Sequence, residues 1–315
     1  MADLALAIDL GGTQIRVGLV DALGQIVTQQ AIATQAMAGP AVVLDQIAQL
    51  SAQVLSGTQV KGAAICAPGP LDTLTGRVFG VQTLKGFEDF PLSDTLSHKL
   101  SMPVQVENDG IAGAVAELCH GAGRAYSDFV YITISTGIGG GAVIDGRLMR
   151  GANGNAAELG HIPLTMDGPR CGCGNHGCWE AYASGTAIAR RTREALSAGR
   201  ASSITGFAGS IEQVTTHHLF QALTQKDPLA MEIWDQSIDY LGRGLGAVIN
   251  TFNPDVIAVG GGVTAAGDAL FVPMRAKANS YAFPRLAAVC TIVPAALGGN
   301  VGVVGAAACA FEAAV

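Results

Sequence analysis

The sequence predicts an α/β protein of two domains, and three observations lead there. Buried-strand patterns alternate with stretches of helical spacing along the chain. A unit of strand, Gly/Thr turn and strand occurs twice, over Leu4–Val20 and again over Phe129–Ile144. At 315 residues the chain has room for two hydrophobic cores.

Taken in order, Leu4 to Leu10 reads as a buried strand, Gly11-Gly12-Thr13 as a tight turn, Ile15 to Val20 as a second strand and Gln25 to Ile32 as a third. This is an antiparallel meander. A dinucleotide-binding glycine loop would instead lead from its strand into a helix. Pro40 to Leu55 has helical spacing with Pro in the first turn. Val60 to Cys66 is a strand running into the rigid Ala67-Pro68-Gly69-Pro70, and Pro103 to Glu107 is another. Asn108-Asp109 then caps a helix to about His120. Phe129 to Ser135 and Gly139 to Ile144 flank Thr136-Gly137-Ile138 and repeat the opening plan, with Arg147 to Arg150 after the Asp145-Gly146 turn. Asp227 to Phe252 is a long helical run, softly broken at Gly242, Gly244 and Gly246. Asp255 to Val259 is a strand ending in Gly260-Gly261-Gly262, Leu270 to Tyr281 a helix, Cys290 to Pro294 a strand, and Val301 to Val315 an Ala-rich closing helix. The expected boundary lies near residues 110–125. It gives a smaller domain over 1–115, with the closing helix (300–315) packing back onto it, and a larger one over 116–299.

Composition excludes several classes. With 49% hydrophobic residues, 14% charged residues and 42 glycines, the chain is neither disordered nor fibrous. A net charge of −7 argues against a nucleic-acid surface. It also means that a phosphate ligand must be held by backbone amides and a metal ion. Asp3 and Asp9 interrupt the short N-terminal apolar run, so no signal peptide is expected, and no window is apolar enough to span a membrane. Of seven cysteines, Cys66, Cys119, Cys290 and Cys309 lie in apolar segments and read as small core residues. The other three form one group. No disulfide framework remains, which fits a reducing cytosol.

That group, Cys171-Gly-Cys173-Gly-Asn-His176-Gly-Cys178, is the most specific chemical signal. Three thiolates with one imidazole make a tetrahedral set suited to Zn²⁺. His161 and His176 compete for the fourth place. His176 is squeezed between Cys173 and Cys178, whereas His161 could bind through one ring nitrogen and present the other to a ligand. Glu158 and Glu180 bracket the cluster, and two acids with an imidazole suit the several hydroxyls of a sugar. Asp9-Leu-Gly11-Gly12-Thr13 and Ser135-Thr136-Gly137 are turns that expose amides and a hydroxyl to an anion, and Asp9 can orient hydrated Mg²⁺. Gly260-Gly261-Gly262 offers a third close approach, flat enough for a purine and ribose. Each of these also reads as a plain turn. Asn108-Asp109 fits a general base with a hydroxyl-binding neighbour, or an ordinary helix cap.

These motifs, in this order, resemble the ROK family of sugar kinases and repressors, within the actin/hexokinase/Hsp70 superfamily. The resemblance rests on Ile8-Asp-Leu-Gly-Gly-Thr13, Ala67-Pro-Gly-Pro70, Glu107-Asn-Asp109, Ser135-Thr-Gly-Ile-Gly-Gly-Gly141, Ala156-Ala-Glu-Leu-Gly-His161, the cysteine loop through Glu180, and Val259-Gly-Gly-Gly262. It implies a two-domain actin-like (ribonuclease H-like) fold with duplicated mixed sheets and an active site in the interdomain cleft. It implies that Asp109 is the general base for the sugar 6-hydroxyl, and that Gly69, Asn108, Glu158, His161 and Glu180 hold the sugar. Gly11, Gly12, Thr13, Thr136 and Gly137 would bind ATP phosphates, with Asp9 steering Mg²⁺ and Gly260, Gly261 and Gly262 lining the adenosine pocket. Structural Zn²⁺ would sit on His161, Cys171, Cys173 and Cys178. Three positions depart from the common pattern: Gln14 where Lys is frequent, Ser135 where Gly is frequent, and Thr83 where Asn often contacts the sugar.

The expectation is an ATP- and Mg²⁺-dependent kinase acting on O6 of a hexose, glucose foremost, with N-acetylmannosamine or N-acetylglucosamine as alternative substrates. Its partners would be small molecules, not nucleic acid or membrane, and it would be a cytoplasmic homodimer or homotetramer. A sugar-sensing repressor is the alternative from another class. Only eight residues precede Asp9, which leaves no room there for a helix-turn-helix.

Overall fold

Alternate residues of the first strand, β1 (Leu4–Leu10), serve two different cores. Leu6, Ile8 and Leu10 join Val43, Leu44 and Ile47, while Ala5 and Ala7 join Ala306, Ala307 and Ala310. A strand buried on both faces marks a sheet covered by helices on both sides. The large side chains contribute about 2 kcal/mol each by burial. The alanines act differently, by letting a helix approach the sheet closely. The structure is a computed structural model describing residues 3–81 and 83–312. Gln82 and the last three positions of the expected closing helix lie outside the described residues.

The chain forms two compact units. The first comprises Met1–Tyr131, Gly140–Ala157 and Ala295–Val315, and the second Ile132–Gly139 and Glu158–Pro294. In the first, β1 pairs antiparallel with β2 (Gln14–Asp21), and β2 with β3 (Ile26–Ala33), giving the expected meander. Helix α1 (Pro40–Leu55) leads to β4 (Gly62–Ala67), which lies parallel to β1. Three two-residue strands follow, β5 (Leu71–Asp72), β6 (Arg77–Val78) and β7 (Phe90–Pro91), forming a small sheet of their own. Strands this short carry no periodicity, and neither they nor α2 (Leu92–Leu100) is legible in the sequence. β8 (Gln105–Asn108) then adds parallel to β4, completing the order β3-β2-β1-β4-β8. It leads directly into α3 (Asp109–His120). The closing helix, Val301–Glu312, packs against β1, β4 and α3. Small residues permit this. A side chain on Gly305 would meet Ala112 backbone oxygen at 2.2 Å, and one on Gly62 would meet that of Ala310 at 2.8 Å.

The chain passes between the units within β9 (Phe129–Ile134) and β10 (Ile138–Ile144). These strands, with β11 (Arg147–Leu148), belong to a second five-stranded sheet whose order ends in β12 (Val256–Gly260) and β13 (Thr291–Pro294). The helices of the second unit are α4 (Trp179–Ala183), α5 (Gly185–Ser197), α6 (Ile204–Ala208), α7 (Thr216–Thr224), α8 (Pro228–Phe252), α9 (Asp268–Tyr281) and α10 (Pro284–Ala287). The expected soft break in the long helix is absent, because α8 runs uninterrupted for 25 residues. Its glycines are notches: side chains at Gly242, Gly244 and Gly246 would collide with Lys277, the Trp179 indole and Tyr281. Among the described residues, no helix is long and apolar enough to cross a membrane.

Candidate active site

Strand register assembles the first group of site residues. Asp9 pairs with Cys66 across β1 and β4, Cys66 with Glu107 across β4 and β8, and Ala67 with Asn108. Three parallel strands thus deliver Asp9, the Ala67–Pro70 segment and Asn108-Asp109 to one carboxyl-terminal edge, where open α/β sheets bind ligands. The Asn108 side chain caps α3, its Oδ1 accepting from Gly110 N at 2.9 Å and Ile111 N at 3.2 Å. Capping and hydroxyl binding use different ends of the amide, so the two readings of Asn108 are compatible. Asp109 is exposed, whereas Asn108 and Gly110 on either side are buried. Its Oδ1 accepts from Gly110 N at 2.8 Å. Gly110 lies so close to the Gly140 backbone that a side chain there would sit 2.5 Å from Gly140 oxygen.

Asp9 is held from two sides, by Arg16 Nη1 at 2.9 Å and by the Cys66 thiol at 3.5 Å. Burial first, and then the charges of Asp9 and Asp109, push the Cys66 thiol well above its ordinary range, so it is a neutral donor. The turn at Gly11-Gly12-Thr13 is pinned by Thr34, whose hydroxyl donates to Gly11 O at 2.7 Å and whose N–H donates to Thr13 O at 3.0 Å. Thr83 stands over this turn, since a side chain on Gly12 would meet its Cβ at 2.5 Å.

The second group gathers in the other unit. Glu180 Oε2 accepts from Ile138 N at 2.9 Å, and a side chain on Gly137 would meet the same oxygen at 2.3 Å. Glu180 is therefore joined to the exposed Thr136 turn. Gly261 has φ +90°, and a side chain there would meet Ile134 backbone oxygen at 2.4 Å. Only glycine brings the Gly260–Gly262 turn this close to the end of β9. Of the expected Gly139-Gly140-Gly141 run, all three residues lie in β10, and Gly141 packs against Ala114 of α3. Gly140 and Gly141 serve packing against α3, and the exposed turn is Ser135-Thr136-Gly137.

His161, Cys171, Cys173 and Cys178 converge, with one ligand atom from each lying within 4.8 Å of every other. Cys171 Sγ is 3.6 Å from His161 Nδ1, and Cys173 and Cys178 Sγ are 3.7 Å apart. His176 is turned away, its Nδ1 3.1 Å from Gly168 O, which leaves the fourth place to His161. The thiols are soft donors, and the 3.6 and 3.7 Å separations suit two edges of a tetrahedron around a metal ion. The other ring nitrogen, His161 Nε2, lies 4.0 Å from Glu158 Oε2. Desolvation raises the Glu158 carboxyl, and the Glu180 charge adds to this against the opposing pull of His161. Glu158, His161 and Glu180 thus form one polar patch against the candidate metal site.

A family profile described as ROK family matches residues 5–313. The chain belongs to the ROK family. It is 37% identical to a glucokinase of Thermotoga maritima, over 96% of this chain and 95% of that protein. A crystal structure of a ROK family glucokinase from Streptomyces griseus in complex with glucose and AMPPNP superimposes with a TM-score of 0.88 at 34% identity, covering 98% of this chain and 99% of that one. A ROK hexokinase from Thermus thermophilus matches with a TM-score of 0.80 at 32% identity, covering 98% of each chain. This ROK chain has the two-unit α/β, actin-like architecture of those structures. Arg16, Thr34, Arg150 and Asn155, which support the site segments, carry no motif in the sequence. Only the opposition of Asp9 and Arg16 across the predicted hairpin offers a signal, one of register and charge.

Proposed function

We propose that this ROK protein is an ATP-dependent glucokinase that transfers the γ-phosphoryl group of ATP to the 6-hydroxyl of glucose. Its similarity over the whole chain to a glucokinase crystallised with glucose and AMPPNP carries this reading. Asp109 is the general base: the O6 proton passes to its carboxylate as O6 bonds to the γ-phosphorus, and ADP leaves with the electrons of the broken P–O bond. Its exposure at the start of α3, beside Asn108, supports this role. Asn108, Glu158, His161, Glu180 and the Gly69 backbone hold the sugar hydroxyls. Gly11, Gly12, Thr13, Thr136 and Gly137 take the phosphates by amides and hydroxyls, and the Gly260–Gly262 turn takes the adenosine.

Asp9, oriented by Arg16 and Cys66, is the residue that would hold hydrated Mg²⁺, whose chemistry is to neutralise the diphosphate leaving group. His161, Cys171, Cys173 and Cys178 would hold a structural Zn²⁺. With Zn–S near 2.3 Å, tetrahedral sulfurs stand about 3.8 Å apart, close to the 3.7 Å between Cys173 and Cys178. Its role would be to fix Glu158 and Glu180 beside one another. A coupled ADP-release assay across glucose, mannose, fructose, allose and the N-acetylhexosamines tests the proposal. Glucose is expected to give the highest kcat/KM. Absence of sugar-dependent ADP release, together with specific DNA binding, overturns it in favour of a repressor.

A further inference from the structure

The segment between β11 and Glu158 has no part in the chemistry described so far, yet it touches two of the substrate segments. Near its start, Arg150 forms an ion pair through Nη1 with the buried Glu107. Glu107 Oε1 in turn accepts from Asn108 N at 2.9 Å, directly before Asp109. At the other end, Asn155 reaches Leu71, two residues after Gly69. Its Oδ1 accepts from Leu71 N at 3.2 Å, and its Nδ2 donates to Leu71 O. Between these ends the loop closes on itself, Ala156 N donating to Arg150 O at 3.2 Å. Gly154 lies flush on Thr73, where a side chain would meet Thr73 Oγ1 at 2.4 Å.

The chemistry at Leu71 is particular. β5 is an edge strand paired only with β6 in its sheet, in the order β5-β6-β7. The amide of Asn155 satisfies both the N–H and the C=O of Leu71, as a neighbouring strand would. A carboxylate has no donor for the C=O, and an aliphatic side chain has neither group. Two residues past Ala156 the chain reaches Glu158.

We propose that the Arg150–Ala156 loop is the positioning element of the sugar site, and that Asn155 is the positioning residue that holds the Gly69–Leu71 backbone against the sugar. This rests on the glucokinase reading above. Asn155 touches neither substrate; it acts through Leu71. Its loss therefore weakens sugar binding and leaves the nucleotide turns and Asp109 unchanged.

The test compares wild-type protein with Asn155→Ala and Asn155→Asp, by steady-state kinetics in glucose and in ATP, by calorimetric titration with glucose, and by thermal melting. Losing both hydrogen bonds is expected to raise glucose KM and Kd about tenfold or more. ATP KM, and kcat at saturating glucose, should stay within about threefold of wild type, as expected when ground-state sugar binding alone is lost. Asn155→Asp, which keeps the acceptor for Leu71 N–H but loses the donor, should fall at or near the alanine value. Should the alanine variant not fold, Asn155→Ser replaces it. A folded variant with unmoved glucose KM overturns the positioning role, and so does failure of all three variants to fold, which marks a structural residue. Wild-type protein without glucose-dependent turnover removes the glucokinase reading itself.

Discussion

One carboxylate oxygen of Glu180 accepts the backbone N–H of Ile138 at 2.9 Å, so the residue that closes the cysteine loop also holds the turn at Thr136-Gly137. Its other oxygen lies 3.8 Å from Cys171 Sγ. One side chain thus couples the candidate metal site and the Thr136-Gly137 turn within the second unit. Glu180→Ala is expected to raise KM for glucose and for ATP together and to lower kcat/KM by about 10²-fold, since it leaves an amide unpaired and removes a ligand contact. Glu180→Gln retains an acceptor for Ile138 N–H, so its ATP KM should return toward wild type while glucose KM stays raised. Steady-state kinetics in both substrates checks this, and equal ATP KM values for the two variants would count against it.

Asp109 stands exposed at the first turn of α3. As the proposed base it is needed in the chemical step and not for folding. Asp109→Asn should lower kcat by at least about 10²-fold, the usual scale of general-base catalysis. Glucose affinity by titration and the melting temperature should change little. Near-normal turnover would remove Asp109 from the mechanism.

Cys173 is the exposed thiol of the cluster, so its truncation opens no core cavity. Wild-type protein is expected to carry one zinc per chain by atomic emission, and Cys173→Ala to lose it with a raised glucose KM and a lowered melting temperature. Without metal, burial and the neighbouring Cys173 and Cys171 push the Cys178 thiol up to about 12. Metal binding must therefore expel protons, and chelator should strip the ion faster as pH falls. Metal-free wild-type protein with full activity would defeat the structural-zinc proposal.

Asp239 lies between Arg243, Tyr281 and Lys277, at 2.8, 2.8 and 3.0 Å. Desolvation pushes its carboxyl up, but the hydrogen bonds from Arg243, Tyr281 and Lys277 outweigh it and pull the group down to about 2. A carboxyl depressed in the folded state adds stability above its ordinary range near 4, which is lost as pH falls toward 2. Asp239→Asn should therefore cost about 1 kcal/mol at neutral pH, after allowance for solvent screening. The gap from wild type should narrow between pH 4 and pH 3. Denaturant melts at several pH values measure this, and a gap independent of pH would exclude the linkage.

The meander, the α3 cap at Asn108 and the metal-type loop are legible in the sequence because each is a local pattern. A near-continuous apolar run in β1, a capping residue before an apolar run, and three thiols within eight positions report on neighbours in the chain. Gly242, Gly244 and Gly246 read as a helix break for the same reason. Local propensity disfavours them, and only the facing Lys277, Trp179 and Tyr281 show that they make room for packing.

The order of residue types along the chain determined the α/β class, the two strand–turn–strand units and the candidates for the site. Only the tertiary structure decided which of them meet. It set Asp9 against Arg16 and Cys66, brought the three thiols together around His161, and tied Asn155 to Leu71 across 84 residues of chain. The reason is physical. Helices and strands answer to forces between near neighbours, whereas these contacts follow from register and close packing, which bring together residues that the sequence leaves far apart.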